Sequence, residues 1–91
     1  MSVDKEMKKY LKYRKEIDKI DRKIINLIEK RGSISKEIGI IKKSLSMPLE
    51  DKLRENRITK KYKNKNISNK AIASLFKVLF EESKRIQKSK R

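Results

Sequence analysis

The sequence predicts an all-α protein made of one long helix and two shorter ones. Three observations favour this fold class. Apolar residues in the first half recur at alternating steps of three and four, which marks a helix with a continuous apolar seam. Pro48 separates this half from two shorter segments, the second of which again has apolar residues at helical spacing. No stretch shows the alternation typical of a strand, and no internal repeat is present.

The long helix is predicted from Tyr10 to about Leu45. Its seam consists of Ile17, Ile20, Ile24, Leu27, Ile34, Ile38, Ile41 and Leu45. Arg31 stands in this seam, where the pattern requires another leucine or isoleucine. Burying an unpaired guanidinium costs several kcal/mol. A charge on this face therefore needs an anion, either a carboxylate of the protein or a ligand.

Two glycines and the flanks of the long helix refine this prediction. Gly32 and Gly39 interrupt the seam away from its ends, at a cost of about 1 kcal/mol each relative to alanine. Such positions indicate that another backbone or a ligand comes close. Residues 1–9 are polar and are expected to fray or to extend the helix. Serines near position 45, followed by Pro48, are expected to end it.

The second helix is predicted from its first turn. Pro48 followed by the acids Glu50 and Asp51 is typical of a helix start. Helix 2 is therefore expected from about Leu49 to Tyr62, and a polar turn is expected over residues 63–66.

The third helix is predicted from an N-cap and an apolar stripe. Ser68 is a suitable N-cap, and the helix is expected to run to about Gln87. Its apolar residues at helical spacing are Ile72, Phe76, Leu79 and Phe80.

Composition indicates one small domain that needs a second copy of itself. The chain has 91 residues, a formal net charge of +16 and only 35% hydrophobic residues. A helix of about 35 residues is about 50 Å long, whereas a compact domain of this size is about 25–30 Å across. The rest of the chain cannot cover such a seam. We therefore expect an obligate homodimer of a single domain spanning residues 1–91, with residues 1–9 and 88–91 flexible.

Missing residue types exclude several functions. Without cysteine or histidine there is no disulfide or thiolate site, and no acidic cluster suggests an all-oxygen metal site, so no metal or cofactor is expected. No apolar run approaches the roughly 18 residues of a membrane span. We expect no membrane partner and a cytoplasmic location. The positive charge leaves three interpretations open: nucleic-acid binding, steering of a small polyanion, or a solvated surface.

Polar side chains stand on the expected packing faces of all three helices. Lys42 follows Arg31 by 11 residues, which is about 20° around a helix, so both leave it on one side. Ser83 and Gln87 continue the line of the aromatic residues in helix 3. The residues that share one face of helix 2 are Asp51, Arg54, Glu55 and Ile58.

Each of these features alone has an ordinary explanation. A lysine can reach solvent past apolar neighbours, an apolar face can emerge into water, and helix charges can form surface ion pairs. Together, polar groups dominated by cations are what a buried site for a small dianion requires. No histidine, cysteine or partnered serine supplies a nucleophile. Chemistry at such a site would rest on positioning and electrostatics.

Five motifs carry a resemblance to a known family. In order they are Tyr13-Arg14-Lys15-Glu16-Ile17-Asp18, Leu27-Ile28-Glu29-Lys30-Arg31, Ile38-Gly39-Ile40-Ile41-Lys42, Pro48-Leu49-Glu50-Asp51-Lys52-Leu53-Arg54-Glu55, and Phe80-Glu81-Glu82-Ser83 with Gln87. In this order and spacing the sequence resembles the all-helical, AroQ-type chorismate mutases over residues 11–87. It differs from a typical member in its high positive charge and in its turn rich in lysine and asparagine before helix 3. No second catalytic domain follows, which argues for a monofunctional enzyme.

The resemblance implies an intertwined homodimer that rearranges chorismate to prephenate in phenylalanine and tyrosine biosynthesis, with no cofactor or covalent intermediate. Arg31 and the Arg14 of the partner chain would clamp the two carboxylates of chorismate. Lys42 and Gln87 would donate hydrogen bonds to its ether oxygen, and Glu55, with Lys42, would hold the ring hydroxyl. Further family positions that line the site match Asp51, Arg54 and Ser83.

Helix geometry agrees with the implied role of Arg14. Arg14 lies 17 positions before Arg31, which is about 25 Å along a helix and about 100° around it. It cannot share a small ligand with Arg31 of its own chain, whereas the Arg14 of an antiparallel partner can reach that ligand.

Two alternatives remain at this stage. Isochorismate pyruvate lyase has the same fold and a similar cage for carboxylates, so the motifs discriminate poorly against it. A basic helical nucleic-acid-binding protein predicts binding that weakens steeply with salt. It does not explain why Arg31 interrupts the seam or why Gln87 aligns with Ser83. Chorismate is therefore preferred over nucleic acid as the expected partner.

Overall fold

The computed structural model describes residues 2–63 and 66–89 and contains only helices and turns within them. The three helices are α1 (Ser2–Ser44), α2 (Lys52–Lys61) and α3 (Asn69–Ser89). The all-α prediction, with one long and two shorter helices, is confirmed. Within these ranges no helix is both long and apolar enough to cross a membrane. The chain divides into two compact units, with the boundary between Arg31 and Gly32.

Helix α1 is longer at its N-terminus than the apolar seam predicts. It begins at Ser2 instead of Tyr10, so the early polar residues extend it. Three lysines, Glu6 and Met7 explain this, because these residue types have high helix propensity.

Helix α1 ends at Ser44, one residue before the predicted position. A residue with left-handed backbone angles follows and terminates the helix. Ser46 has φ 54°, and the N–H of Met47 donates to the carbonyl of Lys42 at 2.7 Å. The N–H of Ser46 also donates to the Lys43 carbonyl, which completes a Schellman cap. The backbone hydrogen bonds of this cap therefore end the helix before Pro48.

Helix α2 begins later than predicted, so its expected start at Leu49 is wrong. It starts at Lys52, and Asp51 is its N-cap: the carboxylate accepts a hydrogen bond from the backbone N–H of Arg54 at 3.0 Å. A capping aspartate has non-helical backbone angles, which excludes the preceding residues from the helix. Pro48 and Glu50 therefore lie in the α1–α2 loop. The helix ends at Lys61, with Tyr62 as its C-cap.

The N-cap predicted for α3 is confirmed. The Ser68 hydroxyl accepts a hydrogen bond from the N–H of Ala71 at 3.1 Å, and the helix begins at Asn69. It continues through Ser89, two residues beyond the expected end at Gln87. The predicted 63–66 turn includes residues 64 and 65, and the expected flexible tail includes residues 90 and 91. These four positions lie outside the described residues.

In the first unit, α1 carries its apolar side chains at the surface. Each is between 43% and 70% exposed: Val3, Met7, Tyr10, Leu11, Tyr13, Ile17, Ile20, Ile24, Ile25 and Leu27. An exposed apolar face of this extent is typical of a protein–protein contact surface.

The second unit is held together by a small core. Ile72 and Phe80 are buried in α3. The ring of Tyr62 stacks on Phe76 with 5.4 Å between centroids, and Phe76 stacks on Phe80 at 5.6 Å. These three rings connect the end of α2 to α3. The polar residues buried alongside this core are Ser35, Ser83 and Gln87.

Gly39 lies at a close approach between α1 and α3. A Cβ atom built on it would stand 2.8 Å from the Cα and 3.0 Å from the Cβ of Gln87. One on Gly32 would meet only the tip of the Ile86 side chain, at 3.2 Å. The expected close approach of another backbone is therefore confirmed at Gly39, whereas at Gly32 the neighbour is a side chain.

The substitution Gly39→Ala is expected to destabilise the protein. Forcing a methyl group against backbone costs about 1–3 kcal/mol, and the opposing gain in helix propensity is about 1 kcal/mol. Gly32→Ala is the matched control and should be neutral or stabilising by up to about 1 kcal/mol, since the Ile86 side chain can move aside. Urea unfolding at one fixed protein concentration measures both. Equal stability of the two variants would contradict this packing.

Candidate active site

Lys42 and Gln87 meet between α1 and α3, in the second unit. The Lys42 ammonium donates to Gln87 Oε1 at 3.0 Å and to the backbone carbonyl of Leu49 at 2.9 Å. Gln87 is only 5% exposed. An ammonium has three N–H donors, so two fixed acceptors determine its orientation. The sequence predicted that these two side chains share a site, and the structure brings them together.

The orientation of the Gln87 amide follows from this contact. An ammonium only donates hydrogen bonds, so the amide oxygen must be the atom that faces Lys42. The amide nitrogen then points away from the Lys42 ammonium. Gln87 is thus held as a donor with a fixed direction.

Ser83, one turn before Gln87, is also buried and has a serine partner on α1. The hydroxyl of Ser35 donates to that of Ser83 at 3.2 Å. Ser35 contacts a predicted site residue, and the sequence reasoning missed it. A signal for it was present, because Ser35, Gly39 and Lys42 follow one another at i, i+4 and i+7 and so share one face of α1.

The three predicted site residues at the start of α2 differ in exposure and in contacts. Asp51 caps the helix, and Arg54 is exposed. Glu55 is turned toward α3: its side chain is 17% exposed, and Oε2 lies 3.7 Å from the Lys84 ammonium. Within the described residues no ion pair joins Asp51, Arg54 and Glu55 to one another, so the alternative of a charge ladder along α2 is not what forms.

Lys84 and Glu50 form a second charged contact that the sequence reasoning missed. Lys84 Nζ donates to Glu50 Oε1 at 3.0 Å, and Lys52 Nζ lies 3.2 Å from the same oxygen. Neither residue was predicted to belong to the site, because lysine and glutamate are common throughout this sequence. Glu55, Phe80 and Lys84 line a groove of about 320 Å³ between α2 and α3. Lys42 and Gln87 are not part of this groove.

These contacts shift both pKa values in the direction that keeps the pair charged. The hydrogen bond from Lys84, then the contact with Lys52, lowers the pKa of Glu50 below its ordinary 4.5. The hydrogen bond to Glu50, helped by the charge of Glu55, raises the pKa of Lys84 above its ordinary 10.5. The stability from Glu50 is lost as pH falls through its lowered pKa, and that from Lys84 as pH rises through its raised pKa. The pair is therefore intact throughout the neutral range.

The two arginines of the predicted site belong to the first unit. Arg31 is half-buried on α1, and Arg14 is exposed on the same helix. Lys42 and Gln87 belong to the second unit.

Comparison with known proteins identifies the family. The sequence model of the family described as chorismate mutase type II matches residues 13–88. The chain belongs to the type II chorismate mutases. A chorismate mutase of Methanocaldococcus jannaschii is 37% identical to it over 86 residues, covering 90% of this chain and 87% of that protein. No solved structure matches the chain.

Membership confirms the resemblance found in the motifs. The protein is an enzyme of the chorismate mutase family, which makes it an isomerase. The match includes Arg14, Arg31, Lys42, Glu55 and Gln87 within its limits. The comparison does not favour the alternatives of a lyase or a nucleic-acid-binding protein.

Proposed function

We propose that this enzyme converts chorismate to prephenate by positional and electrostatic catalysis, as a step in phenylalanine and tyrosine biosynthesis in the cytoplasm. The reaction is intramolecular: one C–O bond of the ether breaks, one C–C bond forms, and no group or proton leaves the molecule. It needs no nucleophile, metal or cofactor. The observation that carries the proposal is the Lys42 ammonium, held in one orientation by the Leu49 carbonyl and the Gln87 amide.

The ether oxygen of chorismate gains negative charge as its C–O bond breaks. A cation already oriented toward this oxygen stabilises the transition state more than the ground state, which is the condition for catalysis. Lys42 meets this condition because its two protein acceptors fix the ammonium before substrate binds. Reorganisation during the reaction is therefore small.

Gln87 is proposed as the second donor to the ether oxygen. Its oxygen is engaged by Lys42, so its N–H groups are the part available to a ligand. An amide donates at any ordinary pH, whereas a glutamate at this position would have to be protonated first. Gln87 therefore keeps its donor role across the neutral range.

The remaining predicted residues would bind and orient the substrate. Arg31 and the partner's Arg14 would clamp the carboxylates through bidentate hydrogen bonds. Glu55 would accept a hydrogen bond from the ring hydroxyl. Asp51, Arg54 and Ser83 would line the site, with Asp51 also holding the start of α2.

A homodimer with shared sites is part of the proposal. Its support is the exposed apolar face of α1, where for example Leu27 is 64% exposed in the single chain. A second copy packed along this face would bury it and would bring Arg14 to the site of the neighbouring chain. A symmetric dimer creates two such sites.

The proposal predicts which product the purified protein makes. Incubated with chorismate, it should form prephenate; incubated with isochorismate, it should form no salicylate or pyruvate above the uncatalysed level. Chromatography of both reactions, with a no-enzyme control, decides this. Release of salicylate and pyruvate from isochorismate, without prephenate from chorismate, would replace the mutase assignment by a lyase.

A further inference from the structure

Lys84 connects three parts of the second unit through its ammonium group. It lies on α3 and contacts Glu50 of the α1–α2 loop at 3.0 Å and Glu55 of α2 at 3.7 Å. Its side chain is 29% exposed. It follows Ser83 directly, so the lysine and the buried serine leave adjacent positions of one helix.

The loop that Lys84 contacts also holds Lys42. The backbone carbonyl of Leu49 accepts a hydrogen bond from Lys42, the side chain of Glu50 accepts one from Lys84, and the carboxylate of Asp51 caps α2. Three consecutive residues thus connect the lysine of α1, the lysine of α3 and the start of α2. A displacement of Glu50 would move the carbonyl that orients Lys42.

We propose that Lys84 is a positioning residue of the active site, which holds the carboxylate of Glu55 and, through Glu50, the loop carbonyl that orients Lys42. This inference rests on the proposed chorismate mutase function of Lys42 and Glu55. In this role Lys84 acts through Glu50 and Glu55 and not on the reacting atoms.

A role in stability alone does not account for the arrangement. Exposed ion pairs contribute little to folding. However, the Lys84 ammonium here bridges two carboxylates, one in the α1–α2 loop and one on α2. Removing this ammonium would leave both carboxylates without their shared counter-charge. Glu55 would then turn toward solvent, and the loop would lose its attachment to α3. The expected damage is to site geometry, with the fold retained.

The test is a kinetic comparison of Lys84→Met, Lys84→Arg and Lys70→Met. A misplacement of about 1 Å can cost up to about 10²-fold in rate, so Lys84→Met should lower kcat by about 10-fold, with a smaller change in KM. Lys84→Arg should restore most of the loss, because a guanidinium can still contact both carboxylates. Lys70 is exposed near the start of α3 and does not line the groove of Glu55 and Lys84, so Lys70→Met removes the same charge and should leave kcat unchanged. Thermal unfolding should be similar for all variants.

The outcomes separate this inference from the function on which it rests. If wild type and Lys70→Met form prephenate and Lys84→Met is equally fast, the positioning role of Lys84 is wrong and the mutase function stands. A loss of kcat matched by a comparable loss of thermal stability, or an arginine variant as slow as the methionine one, also overturns it. If wild type forms no prephenate, the proposed function fails first.

Discussion

Replacing Lys42 with methionine is expected to lower kcat for prephenate formation by about 10²–10³-fold, as for the loss of an oxyanion-hole donor. Methionine has a similar length and helix propensity, so the change removes the charge and its hydrogen bonds with little change in bulk. The loss should appear mainly in kcat, because the ammonium acts on charge that develops in the transition state. Steady-state measurement of chorismate consumption gives both constants.

Lys43→Met is the matched control for this experiment. Lys43 is the next residue on α1 and is exposed, so its replacement removes the same charge at a position about 100° around the helix from Lys42. Its kcat should stay within a few-fold of wild type. Circular dichroism should show the same helix content in both variants. A Lys42→Met enzyme with near-normal kcat would refute the proposed role of the ammonium.

The sequence predicted those parts of the fold that depend on local pattern. Helical spacing predicted three helices, and Ser68 was correctly expected to cap α3. Gly39 was correctly expected to mark a close approach, because only a residue without Cβ permits the contact with the Gln87 backbone. Lys42 and Gln87 stood out because each is a polar residue on a packing face.

Other parts depend on contacts that no local pattern encodes. The start of α2 was misplaced because two signals competed, proline with acids near Pro48 and a capping aspartate at Asp51, and the side-chain cap determined the boundary. The acceptor for Lys42 is a backbone carbonyl, at Leu49, and any residue can supply one. Lys84 acquires its contacts only when α3 packs beside α2, so its sequence neighbours do not distinguish it from other surface lysines.

The shared site predicts a complementation between two inactive variants. Arg14→Ala and Lys42→Met are each expected to form dimers with two damaged sites. In a mixed dimer, the site built on the Lys42 of the Arg14→Ala chain receives an intact Arg14 from the other chain. That site has both native side chains, while the second site lacks both. Each mixed dimer would thus carry one working site.

The measurement is the activity of the two variants unfolded together in equal amounts and refolded. Random pairing makes half of the dimers mixed, so activity should reach about a quarter of that of refolded wild type. Each variant refolded alone should stay near its own low level, and sedimentation should give the mass of a dimer. Activity that never exceeds the sum of the two parents, or a monomeric mass, would contradict a site shared between two chains.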